Sequence, residues 1–558
     1  MTAIAPVLQD SGARARSSVA SRLRRWGLLL GLFAFATAWN LTKAYHIDDT
    51  IYVEMAQWIA GHPLHPMRGR VFWGDEIAPI DGVNQPHLYF YAMAAWGSLF
   101  GWNEVSMHSL LALFALAAIV LMHRLAEIIV PEKASLATCL VVASPAFVVD
   151  QNTMVDVPAL ALWLGFFAIL LARRDEAGSD RLRYVGAGLV CGAAILTKYT
   201  SLVLLPALVL DGVLRRRPVA WHGVAVAIAI VLLWSGFNYW DYGGIHMLTR
   251  TDARGFWNVL DPRKWILCLG AAAPFAFALA GAWLQRSGLR LRWLATLGLC
   301  AGVAAFLAII GGALHGLVTT QTSDTAFAAF FIASGSIALA LAILGLPRRD
   351  VPMRRPVIAR WILAYWAAGA AAFIVLLAPF IAMRHVLLAL PAVVLLALAA
   401  IPRRPPTGWT VAAVLTAFLS TSVVASADRW YAGLYRDEAK RLRDALPASA
   451  RVWTTGHWGW QWYAEKNGMM ELVPGESHPA VDDFIVYPER VHRQPLPANI
   501  VDATVETVPI APSNGVRTFA SPNAGFYATS AFEQLPWAVR RDPIEIFHVL
   551  RVETVRHP

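Results

Sequence analysis

A polytopic α-helical membrane protein with a small α/β region at its C-terminus is the fold class this sequence predicts, on three observations. Of 558 residues, 57% are hydrophobic and only 15% charged, against about 25% charged in soluble domains, and the mean hydropathy is +0.50. Apolar runs recur along residues 26–426, whereas the chain from Asp428 onward has the composition of a soluble domain. Lys and Arg gather in short clusters between the runs, among them Arg22–Arg25, Arg215–Arg217, Arg348–Arg349 and Arg403–Arg404. Such clusters fix orientation during insertion. The net charge of +10 is therefore explained by topology, and no nucleic-acid partner is expected.

Allowing about 20 apolar residues per crossing, with short or broken ones tolerated, about thirteen spans are expected. They centre on residues 26–42, 107–123, 134–150, 157–172, 184–197, 200–214, 219–238, 264–284, 293–315, 326–346, 359–381, 385–401 and 408–426. The first follows a basic leader, residues 1–25, and is read as an uncleaved anchor despite a faint cleavage-site likeness at Ala36-Thr37-Ala38. With the N-terminus in the cytoplasm, alternation assigns 24 Lys and Arg to cytoplasmic segments and 9 to the short outer loops. That split supports the orientation. An odd number of spans places residues 428–558 outside, in the periplasm if the membrane is a bacterial inner membrane, with the membrane unit covering 26–427. The long first outer loop, 43–106, holds Ile51, Met55, Trp58 and Ile59 at helical spacing, which predicts a short amphipathic helix along the interface. Leu88–Phe100 predicts a second. Leu196-Thr197-Lys198-Tyr199 interrupts the run from Val185 to Leu214, so two short helices should meet at the outer face with Lys198 at the tip. In the tail, a helix over Asp428–Leu446 and strands at Val452–Thr455, Asp483–Tyr487 and Ile544–Val549 are expected. The four cysteines all lie in apolar runs and are read as small hydrophobes, with no disulfide framework.

Several residues could carry chemistry. Asp48 and Asp49 lie just past the first span, either capping the next helix or forming a wet acidic pair at the membrane face. Asp156 opens another outer helix, so the acids could share one pocket, one as base and another orienting a group or holding a metal. Asp150 is expected to be a solvated interfacial acid. Lys198 and Arg384 sit at outer ends of spans, either snorkelling into headgroups or binding a phosphate whose lipid tail lies between helices. Arg250, Arg254, Arg263 and Lys264 are expected to cover the site or touch lipid. His46, His62, His65, His87 and His108 crowd the first loop without metal-ligand spacing. A divalent metal stays open, and no other cofactor is indicated. Trp458, Trp460 and Trp462 alternate, which suits a sugar-stacking face or, more simply, core packing.

Together these motifs resemble a family. His46-Ile47-Asp48-Asp49, with Tyr52 and Ala56 after it, resembles the Asp-Glu motif opening the first outer loop of GT-C glycosyltransferases. The branch is that of protein O-mannosyltransferases and lipid A aminoarabinose transferases. Asn84-Gln85-Pro86-His87-Leu88 resembles its Lys-Pro-Pro-Leu element, and Phe100-Gly101 the Phe-Gly closing the next helix. Asp156-Val157-Pro158 resembles the second-loop acid, Leu196-Thr197-Lys198 the Leu-Thr-Lys-Gly break, and Arg384-His385 with Pro391 the late Arg-Tyr and proline motif. The ordered set, from about residue 40 to 400, is specific for the superfamily and not for a substrate. The resemblance implies a polyprenyl-phosphate sugar donor and transfer with inversion to an envelope acceptor (lipid, glycan or protein) at the outer face. By position it implies Asp48 as base, Asp49 as the adjacent acid, and Tyr52, Gln85, His87 and His385 as candidate substrate-binding residues. Gln85 stands where the family has a phosphate-contacting Lys, and His87 where it has the second Pro, which shifts phosphate contact onto Lys198 and Arg384. A transporter or lipid flippase is the alternative class. It would want ionisable groups midway through its helices, where this chain has almost none. A structural assembly subunit without activity is a third class.

Overall fold

Inside a membrane each backbone N–H and C=O must find its partner within its own segment, and the apolar runs accordingly become helices. The computed structural model describes residues 5–82, 85–172, 180–249, 261–285, 289–348, 350–498, 500–520, 524–528 and 535–555. In chain order the first helices are α1 (Ala5–Ala38), α2 (Asp49–Gly61), α3 (Leu88–Phe100), α4 (Glu104–Ile129), α5 (Ala134–Val142), α6 (Pro145–Val148) and α7 (Asp156–Leu171). Next come α8 (Asp180–Ile195), α9 (Leu204–Arg215), α10 (Ala220–Tyr242), α11 (His246–Thr249), α12 (Pro262–Ala272) and α13 (Ala276–Leu284). The series ends with α14 (Leu289–Leu314), α15 (Thr320–Leu344), α16 (Arg355–Leu377), α17 (Met383–Leu387), α18 (Leu390–Ala400), α19 (Thr407–Ala445) and α20 (Trp458–Lys466).

Six described helices are long and apolar enough to cross a membrane: α4, α10, most of α14, α15, α16 and α19. The pair α12–α13, bent by 81°, makes a seventh if it is one span. Of the other expected crossings, 26–42 falls largely on α1, and the rest on shorter or interrupted helices: 134–150 on α5 and α6, 157–172 on α7, 184–214 on α8 and α9, and 385–401 on α17 and α18. Small residues let these helices approach closely. At the α12–α15 crossing, a Cβ on Gly270 would collide with the Phe331 carbonyl.

Two parts of residues 43–106 follow the expected periodicity. In α2 the side chains of Ile51, Met55 and Ile59 are buried, so the helix packs into the protein instead of lying at a lipid interface. Helix α3 ends where Gly101 takes φ +89 and its N–H donates to the Gly97 carbonyl at 2.8 Å, a left-handed turn that favours glycine. Between them β1 (Arg70–Phe72) pairs antiparallel with β2 (Ile77–Pro79).

The tail is joined to the membrane unit by α19, which runs unbroken for 39 residues across Asp428. Beyond it lie β3 (Val452–Thr454), β4 (Met470–Glu471), β5 (Phe484–Pro488), β6 (Ile500–Ile510), four two-residue strands β7 (Val516–Arg517), β8 (Phe519–Ala520), β9 (Ala524–Gly525) and β10 (Ala538–Val539), and β11 (Glu545–Val555). The main sheet has the order β4-β3-β5-β11-β6, parallel across β4-β3-β5 and antiparallel across β5-β11-β6. Side chains alternate across it. Ile485 and Tyr487 join a small cluster with Leu550 and Val552, while Val486 and Phe547 face the large core that also contains Tyr45, Trp460 and the membrane-helix residues Phe167 and Leu395. One apolar core thus runs from the bundle into the tail. Trp460 is fully buried in it, and its indole N–H donates to Thr454 Oγ1 at 2.8 Å. Trp462 sits edge-on to Tyr45 and Trp458 edge-on to Phe519, so the three tryptophans serve packing.

Candidate active site

Four helix ends meet at one end of the bundle. Asp48 occupies the N-cap position of α2, yet its side chain makes no capping hydrogen bond. Its Oδ2 instead accepts from Arg384 Nη1 at 2.8 Å. A cap requires the carboxylate to fold back onto its own helix, and here it is turned outward onto a cation 336 residues away. Arg384 belongs to α17, five residues entered through extended backbone at Ala382. Its guanidinium stands over the Phe380 ring, Nη1 lies 3.3 Å from Met154 Sδ, and Nε is buried without a partner. The Asp48–Arg384 pair keeps partial solvent access, with side chains 21% and 13% exposed.

Asp156 is the first residue of α7 and is buried. Its Oδ1 is paired with Lys198 Nζ, in the break between α8 and the 3₁₀ turn Tyr199–Val203. Lys198 is only 5% exposed, so it does not snorkel. A buried ion pair is by itself a weak source of stability, since desolvation offsets the attraction. The two ion pairs act on the same groups: buried Tyr52 lies in the fields of Asp48, Arg384, Asp156 and Asp49, and Arg384 in those of Asp48, Asp156 and Tyr52.

Asp49 has a different task. Its Oδ2 accepts the His46 N–H at 2.8 Å, and Oδ1 accepts both the N–H and the hydroxyl of Thr153, at 2.7 and 2.9 Å. It rivets the Asp48 turn to the segment leading into Asp156. Burial pushes its carboxyl up to about 7, against the pull of Lys43 and of the His46 and Thr153 hydrogen bonds. Asp150 corrects the expectation of a solvated acid. The turn after α6 folds inward, leaving Asp150 1% exposed with neither carboxylate oxygen hydrogen-bonded, in the fields of Asp156, Arg384, Lys198 and Lys43.

The remaining candidates lie around this centre. His87 is buried with both ring nitrogens unpartnered, edge-on to Phe90 and to His246, and His246 Nδ1 is 2.7 Å from the Tyr199 hydroxyl. The Leu88 N–H donates to the Leu196 carbonyl at 3.0 Å, tying this element to the Lys198 break. Gln85 is half-buried. His385 is buried beside Phe380, its Nδ1 without a partner. Arg263 is engaged by Asp261. Asn84, Arg250 and Arg254 lie outside the described residues. His46, His62, His65 and His108 sit apart from the two ion pairs, His65 on Asp241 at 2.9 Å. Among the described residues no three His, Cys, Asp or Glu side chains gather so as to hold a metal ion, and Asp48 and Asp156 each already face a cation.

Sequence reasoning missed Thr153, His246 and the buried Lys43–Asp428 pair. Lys43 gave a usable signal, a cation at the end of an apolar span. Thr153 and His246 gave none, since only tertiary folding brings them in.

A family model described as dolichyl-phosphate-mannose-protein mannosyltransferase matches residues 84–236. No curated protein matches the chain. Among solved structures, an oligosaccharyltransferase AglB of Archaeoglobus fulgidus, in complex with an inhibitory peptide and a dolichol-phosphate, is similar at 15% identity and a TM-score of 0.45, over 82% of this chain and 61% of that one. The present chain thus spans less than two thirds of that protein's length. ArnT of Cupriavidus metallidurans bound to undecaprenyl phosphate is similar at 14% identity and a TM-score of 0.41, over 84% of this chain and 93% of that one. The segment that matches the family model begins at the Asn84–Leu88 element and includes Asp156 and Lys198. Over residues 84–236 the chain is thus similar to the dolichyl-phosphate-mannose-protein mannosyltransferases.

Proposed function

We propose that this chain is a membrane glycosyltransferase that moves a sugar from a polyprenyl-phosphate donor to an envelope acceptor at the outer face, with inversion. The observation that carries the reading is the paired arrangement of two acids and two cations at helix ends, Asp48 with Arg384 and Asp156 with Lys198. A phosphate is already a good leaving group, so the reaction needs a base on one side and cations on the other, without a strong general acid. Asp48 accepts the proton of the acceptor's nucleophilic hydroxyl or amine. That nucleophile bonds to the anomeric carbon from one face. The carbon–oxygen bond to phosphate breaks on the other face, and its electron pair leaves with the polyprenyl phosphate.

Arg384 and Lys198 hold the departing phosphate. The unpartnered Nε of Arg384 and the remaining Nζ protons of Lys198 are donors that Asp48 and Asp156 leave free. A phosphate can therefore join these pairs without displacing them. Tyr52, Gln85, His87 and His385 serve as contacts for sugar or acceptor. The similar ArnT structure was obtained with undecaprenyl phosphate bound, which is compatible with a lipid-phosphate donor. The same reading puts the protein in a bacterial inner membrane, with residues 428–558 as an α/β region on the periplasmic side and 26–427 as the membrane unit.

The test is mass analysis of envelope lipids, glycans and glycoproteins from a deletion strain. One sugar substituent should be missing, returned by the wild-type gene and not by one encoding Asp48→Asn. An unchanged envelope profile, or full return by Asp48→Asn, would contradict the reading.

A further inference from the structure

Asp48, Asp156 and Arg384 lie at helix ends, and the Asp49–Thr153 hydrogen bonds tie only the first two segments together. A second buried polar cluster does reach all three segments. Asp428 of α19 is 1% exposed, and so is Lys43, whose Nζ is 2.8 Å from Asp428 Oδ2. The Tyr527 hydroxyl donates to the same oxygen at 2.9 Å, and the Thr518 hydroxyl to Oδ1 at 2.9 Å. His46 Nε2 is 3.7 Å from Oδ1, and its ring stands edge-on to Tyr527. This side of the cluster grips residues 43–46, directly before Asp48.

The other contacts run to the remaining two segments. Lys43 Nζ lies 3.4 Å and the Tyr527 hydroxyl 3.3 Å from the Val149 carbonyl, in the turn that carries Asp150 and leads to Asp156. The Phe526 carbonyl, one residue before Tyr527, accepts the Met383 N–H at 3.1 Å, one residue before Arg384. Residues 526 and 527 of the tail thus touch the Asp48 loop, the Asp156 segment and the Arg384 helix, while neither forms a hydrogen bond to Asp48, Asp156, Arg384 or Lys198 among the described residues.

We propose that Thr518, Phe526 and Tyr527 of the tail, acting through the Asp428–Lys43 pair, form a positioning clamp that sets the spacing of the Asp48, Asp156 and Arg384 segments. Its consequence for catalysis rests on the function proposed above; its consequence for the geometry does not. Displacing reacting groups by about 1 Å can cost a hundredfold in rate. A clamp of this kind lowers kcat when loosened and changes donor KM less, because Lys198 and its Asp156 partner keep their own contact.

The experiment compares wild type with Tyr527→Phe, which keeps the ring and removes the hydroxyl, and with Thr518→Val, a smaller loss that guards against misfolding. Amide hydrogen exchange is followed in membranes or nanodiscs, and transfer from a polyprenyl-phosphate sugar is assayed on the same samples. Expected is faster exchange in residues 43–56 and 148–156 together, with strands β5 and β11 unchanged, and a fall in kcat of about tenfold to a hundredfold. Unchanged exchange in those two segments, or faster exchange throughout the protein, overturns the clamp. Normal kcat in Tyr527→Phe with the exchange change present overturns its catalytic role. A wild type that transfers no sugar contradicts the proposed function, and the exchange result still decides the clamp.

Discussion

At the residue scale the decisive finding is what Asp48 does with its carboxylate. A residue at an N-cap ordinarily bonds its own helix, and Asp48 bonds Arg384 instead. Arg384→Ala and Lys198→Ala should each weaken donor binding about tenfold or more, since a charge-assisted contact is typically worth about 1.5–3 kcal/mol. Binding of polyprenyl phosphate to the purified variants checks this, and wild-type affinity in both would remove the cations from donor binding. Lys198→Ala also leaves Asp156 buried without its cation, at a cost of up to about 3–5 kcal/mol, so its thermal unfolding should fall well below that of Arg384→Ala and recover in part when Asp156→Asn is added. Asp49→Asn should act on folding instead of chemistry. The carboxylate accepts three hydrogen bonds, and an amide turned into that pocket points N–H at N–H. The yield of folded protein should drop, while the turnover of what folds stays closer to wild type than in Asp48→Asn.

Interrupted elements make the site. Helices that would otherwise cross the membrane stop at Ile195 and resume after Tyr199, or enter short helices at Asp49 and Met383, and each interruption presents one charged side chain. The break at Lys198 was legible because the run Val185–Leu214 is too long for one span, and α3 was legible because its aromatic run ends at Gly101. The burial of α2 was not. Its apolar spacing is the same for an interfacial helix as for one roofed by α20 and the tail, and no local pattern separates the two. The Asp48–Arg384 and Asp156–Lys198 pairings were equally hidden, since sequence spacing places four charges at outer ends without saying which will touch.

That roof has a pH signature. Glu54 on α2 is raised to about 8, chiefly by burial and then by Glu465 of α20. Glu471 on β4 is raised to about 9 by burial and by Glu465 and Glu54. Both folded values lie above the unfolded value of about 4.3. The stability each contributes is therefore full below that value and is lost as pH rises through about 8 to 9. Thermal unfolding should show wild type losing stability between pH 6 and 9, and Glu54→Gln gaining more at pH 9 than at pH 6. Parallel curves for the two proteins would remove Glu54 from this role.

Across the whole molecule, one core and one unbroken helix, α19, join the membrane bundle to the tail, and the two ion pairs lie where they meet. The positive-inside pattern predicts that this junction faces the outside. A periplasm-dependent reporter fused after residue 440 or at the terminus should therefore be active, and a cytoplasm-dependent one silent. Activity of the cytoplasmic reporter at the same point would reverse the orientation and with it the side on which the sugar is transferred. The most direct test of the chemistry is transfer of labelled sugar from a polyprenyl-phosphate donor in membranes carrying wild type or Asp48→Asn. Asn keeps the size of Asp and part of its hydrogen bonding but cannot take the acceptor's proton, and loss of a general base costs about 10²–10⁴ in rate. Wild-type membranes should transfer the label and Asp48→Asn membranes should lose transfer by that factor while still binding donor; near-normal turnover by Asp48→Asn would contradict the assignment of the base.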